Sequence, residues 1–184
     1  MMKRYGRITA LILILTILTA VPRAGAAAGR ALEFREGISF GMSAEEIIRA
    51  ETTIHQVPED DWLTMGGSPV YYMAPPQPVQ LAGYDVRVTY MLFGGALQVV
   101  RMNAYNFSDE QYSATFGMLQ NLYGESSAFD REEIPQIETR LNVTFPDPGR
   151  IEGHAWKKDD IVLYLVYPRD NRGDFLLLCM NPDF

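Results

Sequence analysis

Cys179 and His154 are the residues whose types could support covalent catalysis. A cysteine thiolate activated by a nearby histidine is a strong nucleophile, and the chain has one cysteine and two histidines. Cys179, however, lies within the apolar run at residues 175–180. Reactive cysteines occupy partly exposed, electropositive sites, whereas a cysteine in an apolar run behaves as a small buried hydrophobe. The sequence therefore favours a structural role for Cys179.

The motifs of other catalytic sites are incomplete in this chain. A serine nucleophile of the hydrolase type needs a G-x-S-x-G turn between a strand and a helix. In Gly66-Gly67-Ser68-Pro69 the proline opposes the helix that should follow the serine. The chain also has no phosphate-binding glycine loop and no dinucleotide fingerprint. We therefore predict a protein that is not an enzyme and that uses no cofactor.

The sequence also lacks the spacing of histidines and carboxylates that is typical of metal sites. His55 and His154 stand far apart in the chain, and neither belongs to a pair with ligand spacing. The acidic run Glu59-Asp60-Asp61 lacks the alternating oxygen ligands and the central glycine of a calcium loop. This run is typical of a solvated turn, so we predict no metal site.

Large apolar and aromatic side chains in the segment 59–78 are the remaining candidates for function. Tyrosine and tryptophan give a large contact area at a low entropic cost, which suits protein recognition. The alternative is that most of these rings belong to the core or support one face of a sheet. The candidate contact patch consists of Trp62, Met65, Tyr71 and Tyr72.

Two helices can be predicted from their capping motifs. Ser43 and Glu46 form a capping box before a helix that runs to about residue 51, and Ser108 and Gln111 form a second one. The second helix carries one continuous apolar stripe, and Gly124 is placed to end it. The residues of that stripe are Tyr112, Phe116, Leu119 and Tyr123.

Strands are predicted before and after these helices. Residues 32–40 are predicted to be extended, and 70–73 to form a short strand. Alternation predicts a hairpin of 84–92 and 97–105 around Gly94-Gly95. The last third predicts a meander with strands at 141–145, 151–156, 161–167 and 175–180.

This order of elements predicts an α+β fold, in which one antiparallel sheet carries both helices on one face. Since each helix is followed by three or four strands, the chain divides into two tandem helix-plus-strands units, at about 38–107 and 108–180. Residues 27–184 have the length of a single domain.

Three short motifs support a family resemblance. They are Gly41-Met42-Ser43-x-x-Glu46-Ile47, Leu122-Tyr123-Gly124, and Trp156 followed by Ile161-Val162-Leu163. With them, residues 38–180 resemble the small exported domains of the SmpA/BamE-like and β-lactamase-inhibitor-protein-like type. The chain lacks the lipobox cysteine and the disulfide pairs found in that group. The resemblance implies a helix-on-sheet fold that binds other proteins, and it implies no catalytic residues.

The first 26 residues have the features of a secretory signal peptide. Lys3, Arg4 and Arg7 precede an apolar run of about 14 residues, which is shorter than the roughly 20 residues of a membrane-spanning helix. Ala24-Gly25-Ala26 offers a cleavage site. The alternative is a retained anchor. We predict export, with no membrane span after cleavage and a secreted or periplasmic location.

Cleavage would make the protein more acidic. The segment contains four cations and no carboxylate, so its removal takes the net charge from −7 to −11. Such a charge disfavours nucleic acid and anionic membranes as partners. The sequence therefore predicts a non-enzymatic domain that binds another protein. The alternative is a small-molecule or peptide binder with a cleft between helix and sheet, which a pocket lined by Trp156, Tyr164 or Tyr167 would favour.

Overall fold

The computed structural model describes residues 32–184, apart from 68, 69, 142, 146 and 159. The predicted signal peptide, residues 1–26, lies outside the described residues. Within the described part, no helix is both long and apolar enough to cross a membrane.

Three α-helices and nine strands make up the described fold. The helices are α1 (Ala44–Ile54), α2 (Asp109–Tyr123) and α3 (Ile134–Leu141), and the short 3-10 helices are Arg131–Glu133 and Pro148–Arg150. The strands are β1 (Leu63–Gly67), β2 (Val70–Ala74), β3 (Val79–Leu81), β4 (Tyr84–Phe93), β5 (Ala96–Ala104), β6 (Ser127–Ala128), β7 (Ile151–Lys158), β8 (Ile161–Pro168) and β9 (Phe175–Met180).

All strand pairs are antiparallel, and they form one open sheet in the order β1-β2-β4-β5-β9-β8-β7-β6, with β3 paired to β4. Each half of the chain runs from an edge of this sheet to its centre. There β5 pairs with β9, from Val99 opposite Met180 to Ala104 opposite Phe175. The predicted α+β fold with an antiparallel sheet is therefore confirmed.

The helices α1 and α2 begin at the two predicted capping boxes and cover one face of the sheet. In both boxes the serine side chain accepts from the backbone N–H three residues on, and that residue's side chain accepts from the serine N–H. Ile47 of α1 and Leu119 of α2 are fully buried in one apolar cluster with Tyr90, Leu165 and other inward residues of the sheet. We call this side of the sheet the two-helix face, and it matches the predicted layer.

The sequence interpretation missed the third helix, and the predicted strand at 141–145 was wrong. Residues 134–141 form α3, which lies on the opposite face of the sheet. Ile134, Ile137 and Leu141 follow helical spacing and are buried there, and Pro135 is tolerated because it lies in the first turn. Only part of this second face is covered by α3.

The predicted extended segment 32–40 was also wrong. These residues form successive turns, in which the Leu32 N–H donates to the Ile38 carbonyl and the Arg35 N–H donates to the Leu32 carbonyl. Gly37 has a φ of +80°, which favours a turn because glycine adopts positive φ without steric strain.

Candidate ligand-binding groove

A groove of about 510 Å³ lies on the face of the sheet opposite α1 and α2. Its apolar floor comes from Val166 of β8 and from Leu176 and Leu178 of β9. Phe145 and Ile151 form part of the wall. The groove is therefore built from two neighbouring strands of the sheet and from the irregular segment that follows α3.

Hydrogen bonds hold the described part of this wall at both ends. The Phe145 N–H donates to the Glu138 carboxylate at 2.7 Å, which ties the wall to α3. The Arg169 N–H donates to the Arg150 carbonyl at 2.7 Å, which ties it to the end of β8. The groove is accordingly preformed by the fold, as small-molecule sites usually are.

Strand β5 and the residue that follows it line one side of the groove with polar side chains. Arg101, Asn103 and Tyr105 alternate with the buried Met102 and Ala104, so all three face the groove. Tyr105 is 61% exposed. These residues belong to the predicted hairpin. The apolar alternation of that hairpin indicates the residues that face the core, and it gives no signal for the polar residues between them.

The Arg101 guanidinium has few partners for a half-buried cation. Its Nε is buried without a hydrogen-bond partner, and one terminal nitrogen lies 3.5 Å from Thr89 Oγ1, at the limit of a hydrogen bond. None of the ion pairs between described residues includes Arg101. A cation that is partly shielded from water and has no counter-charge is a favourable partner for an anionic group.

The other end of the groove is acidic. Arg150 lies between two carboxylates there, since its guanidinium is 2.5 Å from Asp170 and 3.8 Å from Asp147. Asp174 also lines this end, and its Oδ1 accepts the Asn106 N–H at 2.7 Å. We refer to the two ends as the arginine end, at Arg101, and the acidic end, at Asp147, Asp170 and Asp174.

Of the three aromatic residues expected at such a pocket, Tyr167 borders the groove, but its ring packs against Tyr112 of α2 on the two-helix face. Trp156 is buried on the two-helix face, where its indole N–H donates to the Gly124 carbonyl at 2.8 Å. Tyr164 belongs to the apolar cluster beneath α3, and its hydroxyl donates to Glu133 at 2.5 Å. The three aromatic rings therefore belong to the apolar clusters on the two faces of the sheet, and the expected aromatic lining is not found in this groove.

The four residues of the predicted contact patch do not form one surface. Trp62 is half-buried against Tyr90, with a ring separation of 6.4 Å, and its indole N–H donates to the Pro58 carbonyl at 3.0 Å. Met65 and Tyr72 are neighbours across the β1–β2 pair, whereas Tyr71 pairs with Gly66 and points to the other face.

Met65 also has an exposed neighbour on its own strand, which the predicted contact patch did not include. Leu63 lies two residues before it on β1, and the two side chains are 59% and 60% exposed. The Tyr72 hydroxyl donates to the Leu141 carbonyl at 3.3 Å, so this ring is partly anchored on α3. We call Leu63, Met65 and Tyr72 the β1 surface. Leu63 and Met65 are separated by one residue on β1, and this spacing of apolar residues is the sequence signal that could have identified the β1 surface.

His154 meets a hydroxyl but no described carboxylate. Its Nδ1 lies 3.2 Å from Ser126 Oγ, and its ring contacts Phe116, Trp156 and Tyr167. Burial and the charge of Arg172 lower the pKa of His154. Among the residues that the structure describes, no acid completes a nucleophile–base–acid arrangement here.

Cys179 is fully buried in the cluster beneath α1 and α2, and burial raises the pKa of its thiol well above the usual value. Across the described ranges, no group of three or more histidines, cysteines and carboxylates is arranged to hold a metal ion.

No family model, curated protein or solved structure matches this chain. The resemblance to SmpA/BamE-like and β-lactamase-inhibitor-protein-like domains therefore stays a prediction.

Proposed function

We propose that this protein is a non-enzymatic binding protein that holds a small molecule or a short peptide in the groove opposite α1 and α2. The proposal rests on one observation. The groove combines an apolar floor with a half-buried arginine that has no carboxylate partner among the described residues.

The dimensions and lining of the groove support this function. Its volume of about 510 Å³ lies within the roughly 300–1,000 Å³ of typical ligand sites, which are mainly apolar with a few oriented polar groups. Leu176 and Leu178 would bury the apolar part of a ligand, whereas Arg101 and Asn103 would orient its polar part.

The test is a ligand screen against a variant with a blocked groove. Small molecules and short peptides that bind the purified domain by calorimetry are tested again with Leu176→Arg, which places a long charged side chain on the groove floor. Leu63→Arg is the matched control, since Leu63 is exposed on β1, outside the groove lining. We expect Leu176→Arg to abolish binding and Leu63→Arg to leave it unchanged. Equal binding by a folded Leu176→Arg variant would exclude the groove.

A second candidate function is recognition of another protein through the β1 surface. The specific observation is that Leu63 and Met65 are exposed on the same face of β1, which pairs with β2 alone among the described strands. Partners can add a strand to the edge of a sheet. A photo-crosslinking residue at Met65 should then capture a defined partner, and Leu63→Arg should prevent the capture while Leu176→Arg should not.

We also propose that the protein acts outside the cytoplasm, in the periplasm or the surrounding medium. The charged start, the apolar run and the Ala24-Gly25-Ala26 site of the first 26 residues support export. Sequencing the N-terminus of the protein recovered from its native host should give Ala27 as the first residue. An intact Met1 would contradict cleavage.

A further inference from the structure

The two ends of the groove carry opposite charges. Arg101 lies opposite Leu178 in the β5–β9 pair, and Asp174 stands four residues before Leu178. At about 3.3 Å per residue, the arginine end and the acidic end are roughly 13 Å apart. A ligand that spans the groove therefore meets a cation at one end and carboxylates at the other.

Asp174 is the carboxylate of the acidic end that has no cationic partner among the described residues. Asp147 and Asp170 both lie within ion-pair distance of Arg150. Asp174 makes none of the ion pairs between described residues, and its described hydrogen bond is to the backbone N–H of Asn106. It can therefore accept a cationic group from a ligand.

The lining between the two ends includes polar side chains. Asn103 and Thr144 line the groove beside the apolar Leu176 and Phe145. An alkyl chain would remove these polar groups from water without offering a hydrogen bond, which is unfavourable. A peptide backbone offers both N–H donors and carbonyl acceptors at each residue. The lining therefore favours a peptide over a fatty acid.

We propose that the ligand is a short apolar peptide with free termini, whose carboxylate binds Arg101 and whose ammonium group binds Asp174. At 3.3–3.6 Å per extended residue, a peptide of about three or four residues spans the distance between the ends. The inference deepens the proposed function and rests on it, because it names the ligand class of the same groove.

The experiment compares three forms of one probe, the tetrapeptide Ala-Val-Leu-Ala. The free form, the C-terminal amide and the N-acetyl form are titrated calorimetrically into the purified domain. We expect the free form to bind and each blocked form to bind at least about tenfold more weakly, because each loses a charge-assisted hydrogen bond.

Variants assign each terminus to its residue. The Arg101→Met variant should bind the free peptide and the amide equally. The Asp174→Asn variant, which retains an acceptor for the Asn106 N–H, should bind the free peptide and the N-acetyl form equally. The control is Arg49→Met, since Arg49 is exposed on α1 at the other face of the sheet. This variant should discriminate among the forms as the unmodified protein does.

The outcomes separate this inference from the proposed function. The peptide inference is wrong if the three forms bind equally. It is also wrong if none of them binds, while an uncharged apolar compound binds the unmodified protein and not the Leu176→Arg variant. In both cases the groove remains a binding site. If neither the peptides nor any apolar compound loses affinity in Leu176→Arg, the proposed function itself is wrong.

Discussion

Arg35 and Glu51 form an ion pair that is almost completely buried, with side chains 4% and 0% exposed. Arg35 Nε donates to Glu51 Oε1 at 2.8 Å, and a terminal guanidinium nitrogen contacts Oε2. The hydroxyl of Tyr90 donates to the same carboxylate. One carboxylate thus connects the N-terminal turns, α1 and strand β4.

Glu51→Gln should strongly destabilise the fold. The substitution preserves the shape of the side chain but leaves the Arg35 cation buried without a counter-charge. Breaking one side of a buried pair usually costs about 3–5 kcal/mol. Urea unfolding followed by far-UV circular dichroism should show a loss of this size in the free energy of unfolding.

The double variant Arg35→Met/Glu51→Leu is the control for that prediction. It removes both charges, so it should recover much of the stability lost in Glu51→Gln, since apolar replacements of a buried pair are often neutral or stabilising. A loss below about 1 kcal/mol in Glu51→Gln would show that Arg35 reaches water when its partner is removed.

His154 should make the fold less stable in mild acid. Burial, followed by the charge of Arg172, lowers the pKa of His154 in the folded state. The unfolded chain therefore binds a proton first, at a pH near about 6.5, and folding stability must fall as the pH drops through that value. The fall ends below the lower, folded-state pKa, where both states are protonated.

Chemical denaturation between pH 8 and pH 5 would measure this dependence. His154→Gln removes the titrating group, and His55 stays in place, so the difference between the two pH profiles isolates His154. The variant should lose less stability on acidification than the unmodified protein. Parallel profiles would show that the imidazole is solvated in the folded state.

Local sequence signals predicted the helices of the two-helix face well. The capping boxes at Ser43 and Ser108 are satisfied within three residues, so neither depends on distant contacts. The alternation of β4 also specified the four side chains that it buries on the two-helix face, although Met91 is buried as well, on the opposite face. At 141–145 the same signal failed, because Leu141 completes a helical stripe that begins at Ile134.

The groove could not be predicted in the same way. Its floor exists because β5 pairs with β9, so that Arg101 lies opposite Leu178 although the two are far apart in sequence. The end of α3 at Leu141 then leaves this part of the sheet without a helix. Pairing between distant strands depends on the whole fold, whereas the alternation in β5 shows only which residues share a face.

The thiol of Cys179 should react only when the protein unfolds. It is fully buried, and burial raises its pKa well above the usual value, so the reactive thiolate is scarce. Since Cys179 is the only cysteine of the chain, a thiol reagent such as Ellman's reagent reports on it alone. Release of the chromophore should be negligible in buffer and complete in denaturing urea.

The rate of this reaction gives a second check. At intermediate urea concentrations it should follow the unfolding transition seen by circular dichroism. A fast reaction under native conditions would mean that β9 separates from its neighbours β5 and β8 without global unfolding.

Gly153 and Gly117 should respond in opposite ways to alanine. A Cβ on Gly153 of β7 would meet the backbone of Leu165 and Val166 in the adjacent strand, whereas a Cβ on Gly117 of α2 would meet nothing within 4 Å. Backbone cannot move aside as a flexible side chain can, so Gly153→Ala should cost about 3 kcal/mol or more, at the upper end of overpacking effects. Gly117→Ala should stabilise the helix by about 0.5–1 kcal/mol, because alanine loses less backbone freedom than glycine. Thermal unfolding of the two variants beside the unmodified protein measures both effects, and equal melting temperatures would contradict the close approach of β7 to β8.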